Sequence, residues 1–110
     1  MKKVISTTKA PAAIGPYSQA IEANGFVFAS GQIPVDPEKG VIPEGIEAQA
    51  EQVMKNMKNL LEAAGTSIDQ VVKTSVFIKN MDDFATINGI YAKYFEKDCP
   101  ARSCVEIARL

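Results

Sequence analysis

Arginine is rare in this sequence, and one of its two arginines stands where it could bind an anion. Arg102 follows Pro100 and Ala101 at the entry to a predicted strand. A guanidinium held at such a position can grip a carboxylate through two charge-assisted hydrogen bonds, each worth about 1.5–3 kcal/mol. An ordinary salt bridge with an acidic side chain is the alternative interpretation of this residue.

Alternation along the same strand places Cys104 and Glu106 on the face that carries Arg102. The Cys104 thiol is a candidate nucleophile, but a sequence without histidine offers it no usual activating base. A small buried apolar residue is the alternative for Cys104. Because two residues advance a strand by about 6–7 Å, Glu106 would be far from Arg102 and is a secondary candidate for a base.

Four other residues are candidates for the lining of a pocket. Asn88 is polar on an otherwise apolar helix stripe, so it either ties down a loop backbone or forms a pocket wall. Ser30 and Gly31 end a strand, where glycine lets a ligand approach the backbone or simply makes a turn. Tyr17 lies in a loop, where its phenol could cap a small pocket or pack beside a hairpin.

The composition indicates one soluble domain. A chain of 110 residues is long enough for a single core. Apolar runs such as 26–29 are far shorter than the roughly 20 residues that span a bilayer, and the N-terminus has no apolar signal core. Cys99 and Cys104 are too few for a disulfide framework, which suits a reducing compartment. We therefore expect a cytoplasmic protein that does not enter a membrane.

Charge and residue types also limit the partners and the chemistry. A net charge of −1 and a pI near 5.4 give no long-range attraction for phosphate backbones, so nucleic acid is not an expected partner. The absence of histidine removes the commonest general base and the commonest metal ligand, and no metal site is expected. Any chemistry must use carboxylates, Arg, Tyr, Cys, Lys, backbone groups or the substrate.

The hydrophobic pattern predicts the order strand, hairpin, helix, strand, helix, strand. A strand around 3–6 precedes a hairpin of 19–23 and 26–30, and Asn24-Gly25 supplies its tight turn. Prolines and glycines make 31–45 a loop. The first helix carries an apolar stripe with three- and four-residue spacing and ends at Gly65. The stripe consists of Ile46, Ala50, Val53, Met54, Met57, Leu60, Leu61 and Ala64.

The second half of the chain adds a strand at 71–78, a helix and a last strand at 103–110. Asp82 is predicted to cap the helix, which runs to about Lys97 before Pro100. Single helices between strands favour an α/β fold with helices on one face of a sheet. The other face would be an exposed apolar patch, so we expect a homo-oligomer. The predicted apolar face of the second helix comprises Phe84, Ile87, Tyr91, Tyr94 and Phe95.

Several separated motifs together resemble the signature of the RidA (YjgF) family. They are AAIGPYSQ at 12–19, SGQIP at 30–34 and PARSCVE at 100–106, with further agreement at 72–77 and at 83–88. The resemblance spans almost the whole chain. It implies a single chorismate-mutase-like α/β domain over 1–110, with a mixed sheet, two helices on one face, and a homotrimeric assembly with pockets at the subunit interfaces.

The resemblance also implies an activity without a cofactor. The family hydrolyses 2-aminoacrylate, 2-aminocrotonate and their imine tautomers to 2-keto acids and ammonia. By position, Arg102 would clamp the substrate carboxylate, and Cys104 would help to place the imine and the water, chiefly through backbone groups. Tyr17 would come from one subunit and Arg102 from its neighbour. The other positions that match the pocket are Ser30, Gly31 and Asn88.

One departure from the family pattern leaves the general base unassigned. Family members usually continue past the Ala-Arg-Leu segment with a strand that carries a glutamate thought to activate the water, and this sequence ends at Leu110. A truncated chain and a sequence that covers part of the protein are the explanations we favour over a protein without that glutamate. Two other functions stay open: an endoribonuclease or translation inhibitor, and a non-catalytic binder of small carboxylates.

Overall fold

The computed structural model describes residues 1–109, and its elements confirm the predicted order. Leu110, at the end of the predicted last strand, lies outside the described residues. Short 3₁₀ turns precede β4 and α2. The strands and helices are β1 (Lys3–Ile5), β2 (Ala20–Ala23), β3 (Phe26–Ala29), α1 (Ile46–Ala63), β4 (Lys73–Ile78), α2 (Phe84–Tyr94) and β5 (Ala101–Glu106).

The strands pair as two sheets within residues 1–109, whereas one mixed sheet was predicted. β1, β2 and β3 form an antiparallel sheet in that order. Its hairpin turns at Asn24 and Gly25, whose φ angles of 53° and 82° are the positive values that a two-residue turn requires. β4 and β5 pair in parallel, with Thr74 opposite Arg102. A parallel pair needs a crossover, and α2 provides it.

The two helices pack together, and α1 also covers the first sheet. Leu60 of α1 is fully buried against Ile5 and Ala20 of β1 and β2. Met54 of α1 packs against Ile90 and Phe95 at the end of α2. The predicted stripe of α1 is therefore confirmed as a core face. Each sheet keeps a helix on one of its faces, which confirms the α/β organisation.

Gly65 ends α1 as predicted, by a Schellman motif. Its φ of 82° is in the left-handed region, and its N–H donates to the carbonyl of Glu62 while the N–H of Thr66 donates to that of Leu61. Glycine is the residue that takes this conformation at no steric cost. The end of the first helix could therefore be placed from sequence to within a residue.

The second helix differs from its prediction at both ends. Asp82 is not the cap: the side chain of Asn80 accepts a hydrogen bond from the Asp82 N–H and starts a 3₁₀ turn that leads into α2. The helix ends at Tyr94, not near Lys97, because Phe95 leaves helical geometry as its ring enters the core. Ile90, absent from the predicted apolar face, is the residue of α2 that is buried most completely.

The last strand starts two residues earlier than predicted. The Ala101 N–H donates to the carbonyl of Val72, so pairing with β4 begins directly after Pro100. β5 ends at Glu106 rather than running through 110. β4 ends at Ile78, whose carbonyl accepts a hydrogen bond from the Ile107 N–H. Within residues 1–109 the pairing of the two strands stops at this bond.

Two buried amide side chains hold the long loops in place. Asn56 on α1 is fully buried and donates to the carbonyls of Ile33 and Val35 at 3.0 and 2.8 Å. Its own oxygen accepts from Gln52. Gln19 performs the same task for the N-terminal loop: its amide donates to the carbonyl of Pro11 at 2.8 Å and accepts from the Thr7 N–H at 2.7 Å. The proline-rich loop is therefore ordered by α1.

The sheet faces without helices are apolar and exposed. Val27 packs on the core, so the neighbouring Phe26 and Phe28 point away from it, and Phe28 is 62% exposed. On the second sheet Phe77 and its partner Val105 are exposed as well. Contiguous exposed apolar surface of this kind is typical of subunit interfaces. None of the helices within 1–109 is long and apolar enough to cross a membrane.

Removal of the Asn56 amide is expected to destabilise the protein strongly. Asn56→Ala leaves the partly buried carbonyls of Ile33 and Val35 without their donor, which should lower the free energy of unfolding by about 2–4 kcal/mol. Asn59→Ala, one turn along, removes only an exposed bond to Lys9 and should cost less than about 1 kcal/mol. Urea unfolding at equal protein concentration measures both. Equal losses in the two variants would contradict this role for Asn56.

Tyr94 should make the protein less stable in alkali. Burial, and then the neighbouring Glu51 carboxylate, raise the pKa of Tyr94 above its ordinary value of 10.0. Because the unfolded chain releases this proton first, stability falls as the pH rises above about 10. Tyr94→Phe should lose less stability than the parent protein over this range. Parallel curves for the free energy of unfolding against pH would contradict the assignment.

Candidate active site

Arg102 and Asn88 are brought together by the packing of α2 on β5. The Arg102 Nη1 donates to the Asn88 Oδ1 at 2.7 Å. Within residues 1–109 Arg102 therefore bonds to a neutral amide and not to an acidic side chain, which was the alternative interpretation. In the same part of the chain the side chain of Asn88 bonds to Arg102 and not to a loop backbone, and Asn56 is the residue that holds the proline-rich loop.

Two aromatic rings flank the same guanidinium. The Arg102 Cζ lies 4.7 Å from the ring centroid of Tyr91 and 5.5 Å from that of Phe84. Phe84, Asn88 and Tyr91 are spaced by four and three residues, so they lie on one face of α2. The sequence predicts both rings on an apolar core face; Tyr91 does pack against the core, and the structure also gives both rings a cationic neighbour.

One edge of the guanidinium is available to a ligand. Within residues 1–109 the hydrogen bond of Arg102 uses Nη1, and Nε and Nη2 have N–H groups that point in a common direction. Two parallel N–H donors match the two oxygens of a carboxylate. The side chain is exposed, so this edge is accessible from solvent.

Cys104 and Glu106 share the Arg102 face of β5, and Glu106 bonds to the turn before α2. Cys104 is partly buried, and its thiol is free. It lies two residues after Arg102 on the same strand, and its partner residue on β4 is Val76. Glu106 accepts a hydrogen bond from the Met81 N–H at 2.7 Å and so caps the 3₁₀ turn before α2. This contact gives one oxygen of the carboxylate a structural role at the start of the turn.

Tyr17, Ser30 and Gly31 line a different region of the chain. They contribute to a cavity of about 300 Å³ between the N-terminal loop and the proline-rich loop. Its lining is mainly apolar. The other lining residues are Pro11, Ala12, Ile14, Gln19, Gln32, Ile33, Val35, Pro37 and Gly40.

The backbone around Ser30 and Gly31 is tied to the neighbouring strand. The Ser30 hydroxyl donates to the carbonyl of Ser18 at 2.7 Å, and its N–H donates to that of Gln19. A Cβ built on Gly31 meets nothing within 4 Å, and its φ lies outside the positive range. The described chain therefore imposes no requirement for glycine here, so the alternative of a tight turn at Gly31 has no support.

Sequence reasoning missed two glutamines that shape this cavity. Gln19 anchors the loop that carries Tyr17, as described above. Gln32 donates through Nε2 to the carbonyls of Ser30 and Gly31 at 3.1 and 3.4 Å. Among residues 1–109 the buried Gln32 Oε1 has no hydrogen-bond partner. Their positions inside the motifs at 12–19 and 30–34 were the available signal.

The candidate residues thus form two separate groups on one chain. Arg102, Asn88 and Cys104 lie on β5 and α2, and none of them lines the cavity beside Tyr17. No hydrogen bond within the described part of the chain joins the two groups. A complete site that used both groups would require a second copy of the chain or a rearrangement of this one.

A larger and more polar groove lies outside both groups. It has a volume of about 480 Å³ between α1 and the two loops, and Lys9, Asp36, Lys55 and Asn56 contribute to its walls. The backbone N–H groups of Lys39 and Glu38 lower the pKa of Asp36. None of the residues predicted from sequence lines this groove. Residues 1–109 contain no cluster of three or more His, Cys, Asp or Glu that could hold a metal ion.

Comparison with known proteins confirms the family that the motifs indicated. The family model described as endoribonuclease L-PSP matches residues 7–110. A 2-iminobutanoate/2-iminopropanoate deaminase of Salmonella typhimurium is 50% identical over 100% of this chain and 88% of its own length. The RidA structure from an Antarctic Psychrobacter superposes with a TM-score of 0.95 at 44% identity, covering 98% of this chain and 88% of that one.

A further similar structure was solved with a ligand. Escherichia coli TdcF with bound serine has a TM-score of 0.94 and 46% identity, over 98% of this chain and 87% of its own. Similarity of this extent, in sequence and in fold, covers every motif that carried the resemblance. The chain therefore belongs to the RidA (YjgF) family.

Proposed function

We propose that this chain is a deaminase that hydrolyses 2-imino acids and their enamine tautomers. In the reaction water adds to the C=N carbon, the C–N bond breaks, and the products are a 2-keto acid and ammonia. Its substrates are 2-iminopropanoate and 2-iminobutanoate, the tautomers of 2-aminoacrylate and 2-aminocrotonate. A full-length relative at 50% identity is named for this activity.

The observation that carries the proposal is the orientation and exposure of the Arg102 side chain. Its guanidinium is oriented by Asn88, flanked by two rings, and exposed with the Nε–Nη2 edge free within the described chain. This edge fits the carboxylate that every 2-imino acid carries. The TdcF relative was solved with serine, which, like a 2-imino acid, has its carboxylate next to the carbon that bears the nitrogen.

Anchoring the carboxylate turns much of the reaction into positioning. With Arg102 holding one end of a small substrate, the C=N carbon lies within a few ångströms of the clamp, near the backbone around Cys104. Polar groups that hold a water against this carbon would convert a bimolecular step into an intramolecular one. The residue that takes the proton from this water stays unassigned.

We further propose that the two groups of site residues meet in a homotrimer, with Tyr17, Ser30 and Gly31 of one subunit facing Arg102, Asn88 and Cys104 of the next. The exposed apolar sheet faces support this assembly, because such surface is seldom left uncovered in a small chain. The accessible Gly31 is consistent with close approach of a ligand or a neighbouring subunit. The free thiols of Cys99 and Cys104 suit a cytoplasmic location.

Loss of the clamp should abolish activity without unfolding the protein. Arg102→Ala removes two charge-assisted hydrogen bonds, so kcat/KM should fall by about 10²–10⁴-fold. Arg102→Lys keeps the charge but not the two-point contact and should remain strongly impaired. Tyr17→Phe, which removes only a hydroxyl, should have much less effect. The assay follows keto-acid formation from 2-aminoacrylate generated in situ by a serine dehydratase.

A no-protein sample is needed in this assay because free imines also hydrolyse in water. Acceleration by the parent chain and its loss in Arg102→Ala support the deaminase. Near-parental rates in Arg102→Ala would rule out the clamp. Binding of serine with no acceleration by the folded parent chain would identify a non-catalytic carboxylate binder instead.

The proposed assembly has its own test. The parent chain should sediment with about three times its mass of 11.9 kDa, since three copies cover the exposed sheet faces. Phe28→Asp places a charge on that face and should shift the protein toward monomer, whereas Lys58→Glu on the exposed side of α1 should not. Analytical ultracentrifugation distinguishes these cases. A trimer that persists in Phe28→Asp would place the interface elsewhere.

A further inference from the structure

We propose that Tyr91 and Phe84 are positioning residues that hold the Arg102 guanidinium in the orientation in which it binds a carboxylate. This inference rests on the proposed function and adds to it a named set of supporting groups. Neither ring was among the site residues predicted from sequence. The structure assigns them through contacts with Arg102 that a core stripe does not explain.

The first support is the arrangement of α2. Arg102 Cζ lies 4.7 Å from the Tyr91 centroid and 5.5 Å from the Phe84 centroid, both within the range of a cation–π contact. Asn88, between them on the same helix face, fixes Nη1 at 2.7 Å. The guanidinium therefore has Nη1 bonded to Asn88 and two aromatic rings within cation–π distance.

The second support is that Tyr91 is itself fixed. Its hydroxyl hydrogen-bonds to the Thr74 Oγ1 at 2.7 Å, and Thr74 is the residue directly opposite Arg102 in the β4–β5 pair. Its ring packs on buried Phe95 at a centroid distance of 4.6 Å. The ring beside Arg102 is thus attached to the adjacent strand at one end and to the core at the other.

The consequence concerns binding more than chemistry. An exposed arginine has many rotamers, and a carboxylate would have to select one of them. The rings and Asn88 restrict the guanidinium before the ligand arrives. This raises the affinity of Arg102 for a carboxylate without any additional contact to the ligand. Since the carboxylate is held in the substrate and in the transition state alike, loss of a ring should raise KM more than it lowers kcat.

Four variants test this role. Tyr91→Leu removes the ring and should raise the KM for the imine and the Kd for 2-oxobutanoate by about tenfold, with kcat changed less than about threefold. Tyr91→Phe keeps the ring and should remain within about threefold of the parent in both constants. Phe84→Leu, at the longer distance, should have a smaller effect of the same kind. Thr74→Val should resemble Tyr91→Phe.

An NMR measurement gives a readout that does not depend on activity. The chain has two arginines, so the Arg102 Nε–H signal can be identified by its loss in Arg102→Lys. The flanking rings should displace this signal from the position of a free arginine, and Tyr91→Leu should return it toward that position. Thermal unfolding of each variant, at equal concentration, shows whether the fold is retained.

The outcomes separate the two proposals. A folded Tyr91→Leu with unchanged Kd and an unchanged Arg102 signal would overturn the positioning role even if Arg102→Ala is inactive. Equal loss in Tyr91→Leu and Tyr91→Phe, with an unmoved Arg102 signal in both, would also overturn it, because the hydroxyl would then matter without any effect of the ring on the guanidinium. Should Tyr91→Leu fail to fold, Phe84→Leu decides: parental constants and an unmoved signal would overturn the proposal. Failure of the deaminase proposal instead appears as no acceleration of keto-acid formation by the folded parent chain over the no-protein sample.

Discussion

The parallel register of β4 and β5 is the constraint on which the candidate site depends. It places Thr74 directly opposite Arg102, so that α2, which connects the two strands, passes over both residues. Tyr91 can then bond to Thr74 while its ring lies beside the guanidinium. A slip of one residue would turn Arg102 to the helix-free face and remove every one of these contacts.

Buried amides provide a comparable constraint at the loops. The long segments before β2 and before α1 contain carbonyls that neither sheet can pair, and such groups need donors when they leave water. Gln19 and Asn56 supply those donors from inside the fold. The cavity beside Tyr17 therefore has walls of irregular backbone that are nevertheless anchored to β2 and α1. This is a way to build a shaped pocket from loops in a short chain.

The division of the site residues into two groups connects the fold to the proposed assembly. One group is charged and lies on β5 and α2, and the other surrounds a mainly apolar cavity. The exposed apolar faces of both sheets provide the surface through which copies of the chain can meet. In the proposed trimer the same association that covers Phe28 and Phe77 also completes the pocket. Stability and catalysis would then depend on one interface.

Local signals in the sequence predicted most of the elements. The turn at Asn24-Gly25, the end of α1 at Gly65 and the stripe of α1 follow from backbone preference and periodicity, and the structure confirms them. The motifs indicated the family, which the comparisons confirm. The residue types also identified Arg102 and Asn88 as chemically interesting. The proposed roles of the site residues remain predictions.

Tertiary contacts decided the rest. Three features depend on groups that are distant in sequence. They are the end of α2 at Tyr94, the bond from Glu106 to the turn before α2, and the anchoring of a loop by Asn56 rather than by Asn88. Periodicity could place Tyr91 on a face of α2, but only the packing on β5 set a guanidinium beside it. The sequence by itself determined the elements, because backbone preference acts over a few neighbouring residues. The structure alone decided the partners of each polar group, because these are set by which elements pack together.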